Sequence, residues 1–564
     1  MLFYDFEVFK YDWLVVVIDV TNHKEHVIIN DPDALERLHE SNKNDIWVGF
    51  NNRHYDQYIF KGNLCGFDPK RINDWIITKG NPGWKFSSLF KKIKLINYDV
   101  MLNNDRGLKF FEGSMGNDIK ESSVPFDIDR KLTKEEIEET VKYCRHDVEQ
   151  TIEVFLERIE EFDATRNLIK IFKLPVESFS KTKAQLVSEI CGGMGKRFDE
   201  DEFDFPIVLC LELKKYKYVL DWYRNPDNHD YSKTLETVIA GVPHTFAWGG
   251  IHGAEKQNTD TGIFLNVDVT AYYPSIQLQY KFGYRNMSKP ENFELIHNEN
   301  LRHKKEGNKK ERLPFKIADN SISGQLKDKN SKLYDPLMNN AVCVNGQLML
   351  LMLIEMVEPY VKLVQSNTDG ILLKLNSMDD YDVIDDIVYE WECKTGMKME
   401  FELFSKVFQK DVNNYILVDE EGKVKTKGSY VKKLSRIDYD LPIINKALVE
   451  YMVNDVPVEE TVKRCDDLKE FQLISKISSK YTHILYGDKP LKEKCIRIFA
   501  SNLKDDPGVK KVHATTGRPA KLPNSPEHCF IYNDEVNGVK VLNKLDKNWY
   551  INLAKKRLRD FGVM

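Results

Sequence analysis

The stretch Asn266-Val-Asp268-Val-Thr-Ala-Tyr272-Tyr273-Pro274-Ser-Ile-Gln277 decides how the rest of the chain is read. The apolar run GIFLNVDV (262 to 269) predicts a strand, with Asp268 near its end. One acid beyond a strand means little, but two downstream stretches give it partners: Lys316-Ile-Ala-Asp-Asn320-Ser321, and Asn367-Thr-Asp369-Gly370. Lys316, Asn320 and Ser323 fall at i, i+4 and i+7, so they share one face of a predicted helix. A lysine there offers a mobile point charge suited to a triphosphate. Asp-Gly between the strand-like runs VKLVQSN and ILLKL is a hairpin signal, and it brings the second acid, Asp369. Together the three stretches read as a metal and triphosphate site.

Composition sets the frame around that site. At 564 residues the chain predicts roughly three or four domains. Charged residues make up 30% and apolar ones 42%, no stretch approaches eighteen apolar residues, and the start lacks the layout of a signal peptide. A soluble, intracellular protein without a membrane partner is expected. The nine cysteines show no CxxC spacing, so neither a zinc site nor a disulfide framework is indicated. A net charge of -6 argues against a protein that simply coats DNA, because such affinity comes from Lys and Arg neutralising phosphates. Local charge argues the other way, since residues 301 to 316, 422 to 436 and 508 to 521 are basic. The helix NGQLMLLMLIEMVEPY is expected to be core.

The N-terminal part carries a second set of acids. LFYDFEVF, WLVVVIDV and HVIIN suggest a short antiparallel meander, and Asp5 and Glu7, two apart on a strand, project to one side. Asp56 opens a helical pattern after a buried-type strand, DIWVGF, and Asp99 follows another strand as a weaker candidate. Thr133 with Glu136 three residues later predicts a capped helix start, and Tyr143 and Asp147 share a face of that helix. Oxygen-only ligand sets of this kind suit Mg²⁺, and paired ions can activate water for phosphodiester cleavage.

Asp5-Phe-Glu7, Asn52-x-x-Tyr55-Asp56 and Tyr143-x-x-x-Asp147 resemble, in order and spacing, the three exonuclease motifs of family B DNA polymerases. The resemblance covers about the first 165 residues and implies an RNase H-like proofreading domain. It implies Asp5, Glu7, Asp56 and Asp147 as metal ligands, Tyr143 as the residue orienting the attacking water, and Asn52 and Tyr55 as contacts to a single-stranded 3' end. Val8 stands where many relatives carry a DNA-touching Thr. Further on, Ala247-Trp-Gly249-Gly250 resembles the family's Y-x-G-G template element, with Gly249 and Gly250 approaching DNA. Asp268-Val-Thr-Ala-Tyr-Tyr273-Pro resembles D-x-x-S-L-Y-P, which implies Asp268 as a metal ligand and Tyr273 as the ring that excludes a ribose 2'-hydroxyl.

The segment from Lys316 resembles K-x-x-x-N-S-x-Y-G with Ser323 in place of the Tyr, implying Lys316 and Asn320 as nucleotide contacts. Arg302, Lys304 and Lys305 are the candidates to complete the clamp. Gln365-Ser-Asn367-Thr-Asp369-Gly resembles Y-x-D-T-D-S, which implies Asp369 as the second metal ligand, with Asn367 replacing an acid by an isosteric neutral group. Asn-Asn-Tyr415 and Lys425-Thr-Lys427-Gly428 resemble elements that hold the primer-template minor groove, implying Tyr415 and Lys427, with Lys410 close by.

The expectation is therefore an α+β multidomain chain: an RNase H-like exonuclease (1–165), a connecting region (166–260), then a right-hand polymerase. Palm segments fall at 261–300 and 341–435, fingers at 301–340 and a thumb at 436–564. Two Mg²⁺ per active site are implied, with Mn²⁺ as a substitute. Primer-template DNA and dNTPs are the implied partners, and a replicative helicase, primase or single-strand binding protein are further candidates. The short spacings from Pro274 to the basic run and from Gly324 to Asn367 leave out the insertions of protein-primed relatives, so the chain resembles a compact phage-type enzyme using an RNA or DNA primer. A cytoplasmic location is expected, in the host if the chain is phage-encoded. Two other readings stand beside this one: an exonuclease with a degenerate, DNA-holding polymerase half, and a non-catalytic replisome binding protein.

Overall fold

The computed structural model describes residues 1–102 and 106–564 and has a mixed α+β architecture. The chain divides into two compact units, Met1–Thr182 with Leu434–Ile443 and Val462–Tyr550, and Lys183–Lys433 with Ile444–Thr461 and Ile551–Met564.

In the first unit β1 (Leu2–Val8), β2 (Trp13–Asp19) and β3 (Lys24–Ile29) form the antiparallel meander read from the sequence. After α1 (Pro32–Ser41), β4 (Ile46–Gly49) pairs parallel to β1. Helices α2 (Asp56–Leu64) and α3 (Pro69–Asn73) precede β5 (Ile96–Asp99), which lies parallel to β4 and completes the order β3-β2-β1-β4-β5. The helices α4 (Leu108–Met115), α5 (Lys134–Glu157) and α6 (Ile159–Ile171) follow. Period-2 alternation sorts β1: Leu2, Tyr4, Phe6 and Val8 join the core with Trp13, Val15, Trp47 and Phe60. Phe3, Asp5 and Glu7 point to the other face, where Phe3 meets Phe155 of α5 edge-on at 5.2 Å. The start of α5 is the predicted capping box, Thr133 Oγ1 accepting from Glu136 N while Glu136 accepts from Thr133 N.

The second unit begins with α7 (Lys183–Ile190) and α8 (Lys217–Arg224), then β6 (Thr234–Ile239), β7 (Val242–Ala247), β8 (Gly250–Ala254) and β9 (Asn258–Val269). Helices α9 (Tyr272–Tyr280), α10 (Pro290–Lys305), α11 (Lys309–Gln325) and α12 (Pro336–Val357) lead to the hairpin of β10 (Lys362–Ser366) and β11 (Gly370–Leu375). After α13 (Asp379–Thr395) come β12 (Met399–Asp411), β13 (Asn414–Val418) and β14 (Val424–Lys427). The nine strands form one sheet, β14-β13-β12-β9-β11-β10-β8-β7-β6, antiparallel at every pairing. Alternation again assigns the faces: Leu265, Val267 and Val269 pack with the helices, while Phe264 lies on the opposite face with Phe404, Tyr415 and Leu417. That opposite face is also where Asp268 belongs.

The helix α12 departs from the sequence reading of apolar runs. An eighteen-residue window in it has a mean hydropathy of 1.5, long and apolar enough to cross a membrane by composition. Asn339, Asn340, Asn345 and Gln347 interrupt the run without lowering the mean much. These side chains bond inside the protein, Asn345 Oδ1 accepting from Val208 N and Gln347 Oε1 from Tyr223. With 89% of that window buried, α12 is the core helix of this unit.

The remaining elements are α14 (Pro442–Asn454), α15 (Val458–Arg464), β15 (Leu473–Lys476), β16 (Tyr481–Tyr486), β17 (Lys489–Pro490), β18 (Cys495–Ala500), β19 (Val509–His513), β20 (Pro519–Lys521), β21 (Cys529–Ile531) and α16 (Lys547–Asp560). Strands β15, β18 and β21 form one sheet and β17, β16, β19 and β20 another, both in the first unit. The sequence reading placed residues 436–564 in a single thumb; by compactness Val462–Tyr550 groups with the N-terminal residues.

Two candidate active sites

In the first unit four carboxylates from three elements converge. Asp5 and Glu7 stand on β1 and Asp147 on α5, and Asp56 begins α2 with its Oδ1 accepting from Phe6 N at 3.2 Å. Burial pushes Asp5 and Glu7 well above the usual carboxylate range, repulsion from Asp56 and Asp147, and from Glu7 on Asp5, adds to it, and Lys109 pulls both down. Burial raises Asp56 to about 7, against the pull of the Phe6 N–H, and Asp147 to about 6, against the pull of Lys109. The Tyr143 hydroxyl is raised by burial and by Asp147, Glu7 and Asp5. Thus the structure brings Asp5, Glu7, Asp56, Asp147 and Tyr143 together.

Two groups of this site lie outside the sequence reading. Lys109 Nζ, from α4, sits 2.5 Å from Asp147 Oδ1, 3.1 Å from Glu112 Oε1 and 4.6 Å from the centre of the Tyr143 ring. Although burial alone would lower Lys109, the Asp147 and Glu112 carboxylates hold it above the usual lysine value. Glu112 is fully buried, with His146 Nε2 at 3.6 Å from its Oε2. Their i, i+3 spacing as Lys-x-x-Glu was the available signal.

Asn52 and Tyr55 are placed differently from the expectation. Asn52 is fully buried and exchanges amide hydrogen bonds with Asn97 at 2.9 and 3.1 Å, so its side chain braces the loop after β4 instead of facing a strand end. The Tyr55 hydroxyl donates to Asn73 Oδ1 at 2.8 Å. Asp99 accepts from the backbone N–H groups of Asn51, Arg53 and Met101 and anchors the same loop.

Does this donor set fit a cation? The carboxyl oxygens of Asp5 and Glu7 lie with Cys144 Sγ inside a 4.8 Å cluster, and Glu112, His146 and Asp147 form another. Lys109 pairs directly with Asp147 and Glu112 and its charge also pulls Asp5 and Glu7 down, yet both stay raised, so Asp5, Glu7 and Asp56 keep a concentrated negative field that a cation between them would neutralise. The fit is to a hard, oxygen-seeking divalent ion.

In the second unit the register pairs Gly370 of β11 with Asp268 of β9, and Val269 N donates to Asp369 O at 2.7 Å. Asp369 is exposed at the tip of the β10–β11 hairpin, which Asn367 N closes on Gly370 O at 2.9 Å. Burial raises the Asp268 carboxyl, Asp369 and Glu402 push it the same way, and Asn266 and Lys425 pull it down. Asn266 Nδ2 donates to Asp268 Oδ2 at 2.6 Å, and Lys425 Nζ lies 3.7 Å from that oxygen while also pairing with Glu402. Across the next strand pair Glu400 stands opposite Asp268 and Glu402 opposite Asn266. The two strand acids of β12 went unread, although the alternation in MEFELF places both on one face. Asp268 and Asp369 offer oxygen donors of the kind a hard divalent ion takes, while Glu400 and Glu402 are each paired with a lysine, Lys304 and Lys425.

The neighbouring groups fall around this pair. The Tyr273 hydroxyl donates to Gly249 O at 3.0 Å, and a Cβ at Gly250 would stand 3.3 Å from Thr368 Oγ1, so the Gly-Gly turn abuts the hairpin tip. Trp248 is buried among Phe203, Phe205, Trp222, Tyr223, His229 and Tyr231. Helix α11 starts at Lys309, nearly two turns before Lys316, and carries Pro314 inside it. Lys316 and Asn320 are exposed on it, and Ser323 Oγ donates to Gln277 Oε1 of α9 at 2.5 Å. Of the expected clamp, Lys305 is exposed, Arg302 is held between Glu299 and Glu306, and Lys304 pairs with Glu400. Arg312, a turn before Lys316, was missed; its Nε donates to Asn300 Oδ1 at 3.0 Å and its charge reaches Glu400. Tyr415 is buried with Lys427 Nζ 5.7 Å above its ring, and Lys410 pairs with Asp411.

No protein-family model matches the sequence. No curated protein matches it. Among solved structures the chain is similar to the family B DNA polymerase from the hyperthermophilic archaeon Pyrobaculum calidifontis, at 13% identity and a TM-score of 0.39, over 99% of this chain and 77% of that one. A likeness at that level carries no functional weight.

Proposed function

We propose that the chain is a DNA-directed DNA polymerase with a 3'–5' proofreading exonuclease, replicating a phage or mobile-element genome in the host cytoplasm from an RNA or DNA primer. One observation carries the reading: the Gly370–Asp268 register brings two acids, far apart in sequence, to the adjoining ends of two central strands of one antiparallel sheet. The four carboxylates gathered in the first unit, three of them buried, support the exonuclease half.

Mg²⁺ or Mn²⁺ held by Asp268 and Asp369, and by Asp5, Glu7, Asp56 and Asp147, would supply charge neutralisation and polarisation at the phosphorus under attack. The chain's own groups do the rest. Lys316, Arg312 and Lys305 offer positive charge to a triphosphate. Tyr273, whose hydroxyl is fixed on Gly249 O, presents its ring to the sugar of an incoming dNTP. In the first unit Tyr143 orients water toward a scissile phosphate, and Lys109 holds Asp147 beside it. A helicase, a primase and a single-strand binding protein are the partners such an enzyme would meet.

Primer extension and 3'-end degradation, measured on the same protein, test the proposal. Asp369→Asn should lower extension at least about a hundredfold, about 2.7 kcal/mol at roughly 1.4 kcal/mol per decade, and spare degradation. Asp5→Ala with Glu7→Ala should do the reverse. Loss of both functions in either folded variant would refute two independent sites. A second reading, an exonuclease whose other unit only holds DNA, is favoured by the neutral Asn367. The Asp5→Ala/Glu7→Ala protein separates the two, since no dNTP incorporation with Mg²⁺ or Mn²⁺ selects that reading.

A further inference from the structure

We infer that a basic cleft in the first unit, between the N-terminal end of α4 and the strands β15, β16 and β19, binds the backbone of a single-stranded polynucleotide. The inference takes the class of anion from the nuclease reading of the same unit. The cleft has a volume of about 540 Å³, and Arg106, Phe110, Lys476, Tyr481, Lys511 and Asn524 line it.

Three cations enter it from three separate elements. The Arg106 guanidinium lies 3.9 Å over the buried Phe110 ring, and Lys511 Nζ lies 4.1 Å over the Tyr481 ring. Lys476 Nζ reaches the backbone of Gly107, where an added Cβ would come within 2.2 Å of it. Gly107 is the N-cap of α4 and brings no side-chain cap. An ammonium is therefore pressed against the positive end of a helix dipole, an unfavourable placement that an anion between them would relieve. Among the described residues Arg106, Lys476 and Lys511 have no ion pair with a carboxylate. Among the described residues the one acid in the wall is Asp440, which accepts from Ile474 N at 3.0 Å. Unneutralised cations on facing walls collect a polyanion, and the half-exposed Tyr481 face adds a stacking surface that unpaired bases can use and a duplex cannot. Phe110 on the cleft side and Lys109 on the carboxylate side are neighbours on α4, so a strand held here runs along the helix that carries part of the nuclease site.

The test uses the full-length Asp5→Ala/Glu7→Ala protein in EDTA, titrated with a fluorescent oligothymidylate over a series of salt concentrations. Adding Lys476→Ala and Lys511→Ala should weaken binding about tenfold. It should also flatten the slope of log K against log salt by about 1.4, at roughly 0.7 per phosphate contact on a single strand. An unchanged slope overturns the inference. Equal loss of duplex binding, or displacement of the oligomer by equimolar inorganic phosphate, overturns the single-strand assignment. Photo-crosslinking of a 5-bromodeoxyuridine oligomer to the protein with all cleft residues intact should label Tyr481; labelling only outside the cleft refutes it without any variant having to fold. Binding in EDTA requires no cleavage, so the two readings fail separately. A slope change without 3'-end degradation by the wild-type chain sinks the nuclease reading and keeps the cleft, and degradation without a slope change does the opposite.

Discussion

At the scale of single residues the informative positions are those where charge is concentrated or missing. Asn367 stands at the hairpin that carries Asp369, where an acid would be a further oxygen donor. Asn367→Asp should lower the Mg²⁺ concentration giving half-maximal primer extension several-fold, and a metal titration of the extension rate reads it directly; an unchanged or raised midpoint would show that the neutral amide is not what limits metal binding. The carboxylates of the first unit make a statement about pH. Asp56 titrates near 7 and Asp147 near 6 in the folded protein, well above the unfolded range near 4. Groups raised in this way favour the fold while protonated, so their contribution is complete below about pH 4 and is lost as pH rises through 6 to 7. In EDTA the thermal midpoint should therefore rise as pH falls from 8 to 5. Asp56→Asn should flatten the rise, and Mg²⁺ should remove most of it by raising the midpoint at pH 8. A profile identical in Asp56→Asn and wild type would show that this cluster is not the source.

At the scale of elements the close approach of strands does as much as the acids. A Cβ on Gly370 would fall 2.0 Å from Asp268 Oδ1 and 2.8 Å from Val267 O. Gly370→Ala should thus displace the Asp268 carboxylate without altering any charge, costing about 1–3 kcal/mol of stability and nearly all primer extension, while 3'-end degradation persists. Extension within tenfold of wild type would mean that the register tolerates the methyl group. This position also shows what was legible in advance. The Asp-Gly pair announced a hairpin, and the alternation along β1 announced that Asp5 and Glu7 share a face, because both are local geometry. The capping box of α5 was readable for the same reason. Glu400 and Glu402 were not, since their place beside Asp268 is a matter of which strand pairs with β9, and pairing partners far apart in sequence leave no local mark. The pairing of Arg302 was readable locally, since Glu299 and Glu306 flank it at i−3 and i+4. The burial of Asn52 was not readable, because a motif position says nothing of burial, and here Asn97 claims the side chain.

At the scale of the molecule, the late segment Val462–Tyr550 belongs to the unit that opens the chain, and α4 is the reason. From Lys109 to Met115 every residue of this helix is buried, and its end is held by groups that come from that segment. Arg497, with no exposed surface, donates to Gly113 O at 3.2 Å and Asn117 O at 2.7 Å, and also to Gln472 Oε1 and the carbonyls of Tyr532 and Asp534. Gln472 Nε2 donates to Ser114 O, Lys469 Nζ to Met115 O, and Ile119 N to Asn533 O. Burial lowers Arg497 to about 10, yet its donors cap the negative end of α4, where a cation is favoured. Removing the segment would leave these carbonyls without partners and uncover the apolar face of α4, at a cost of about 1–3 kcal/mol for each polar group that stays buried. The helix also carries Lys109 and Glu112, so the damage should reach the carboxylate site. A fragment ending at Thr182 should accordingly show a lower unfolding midpoint than the full chain and at least tenfold slower 3'-end degradation. Supplying the excised segment in trans should not restore it, because α4 would have to fold before its caps arrive. Wild-type degradation by that fragment would establish that Asp5, Glu7, Asp56, Asp147 and Lys109 are held in place by the N-terminal residues alone.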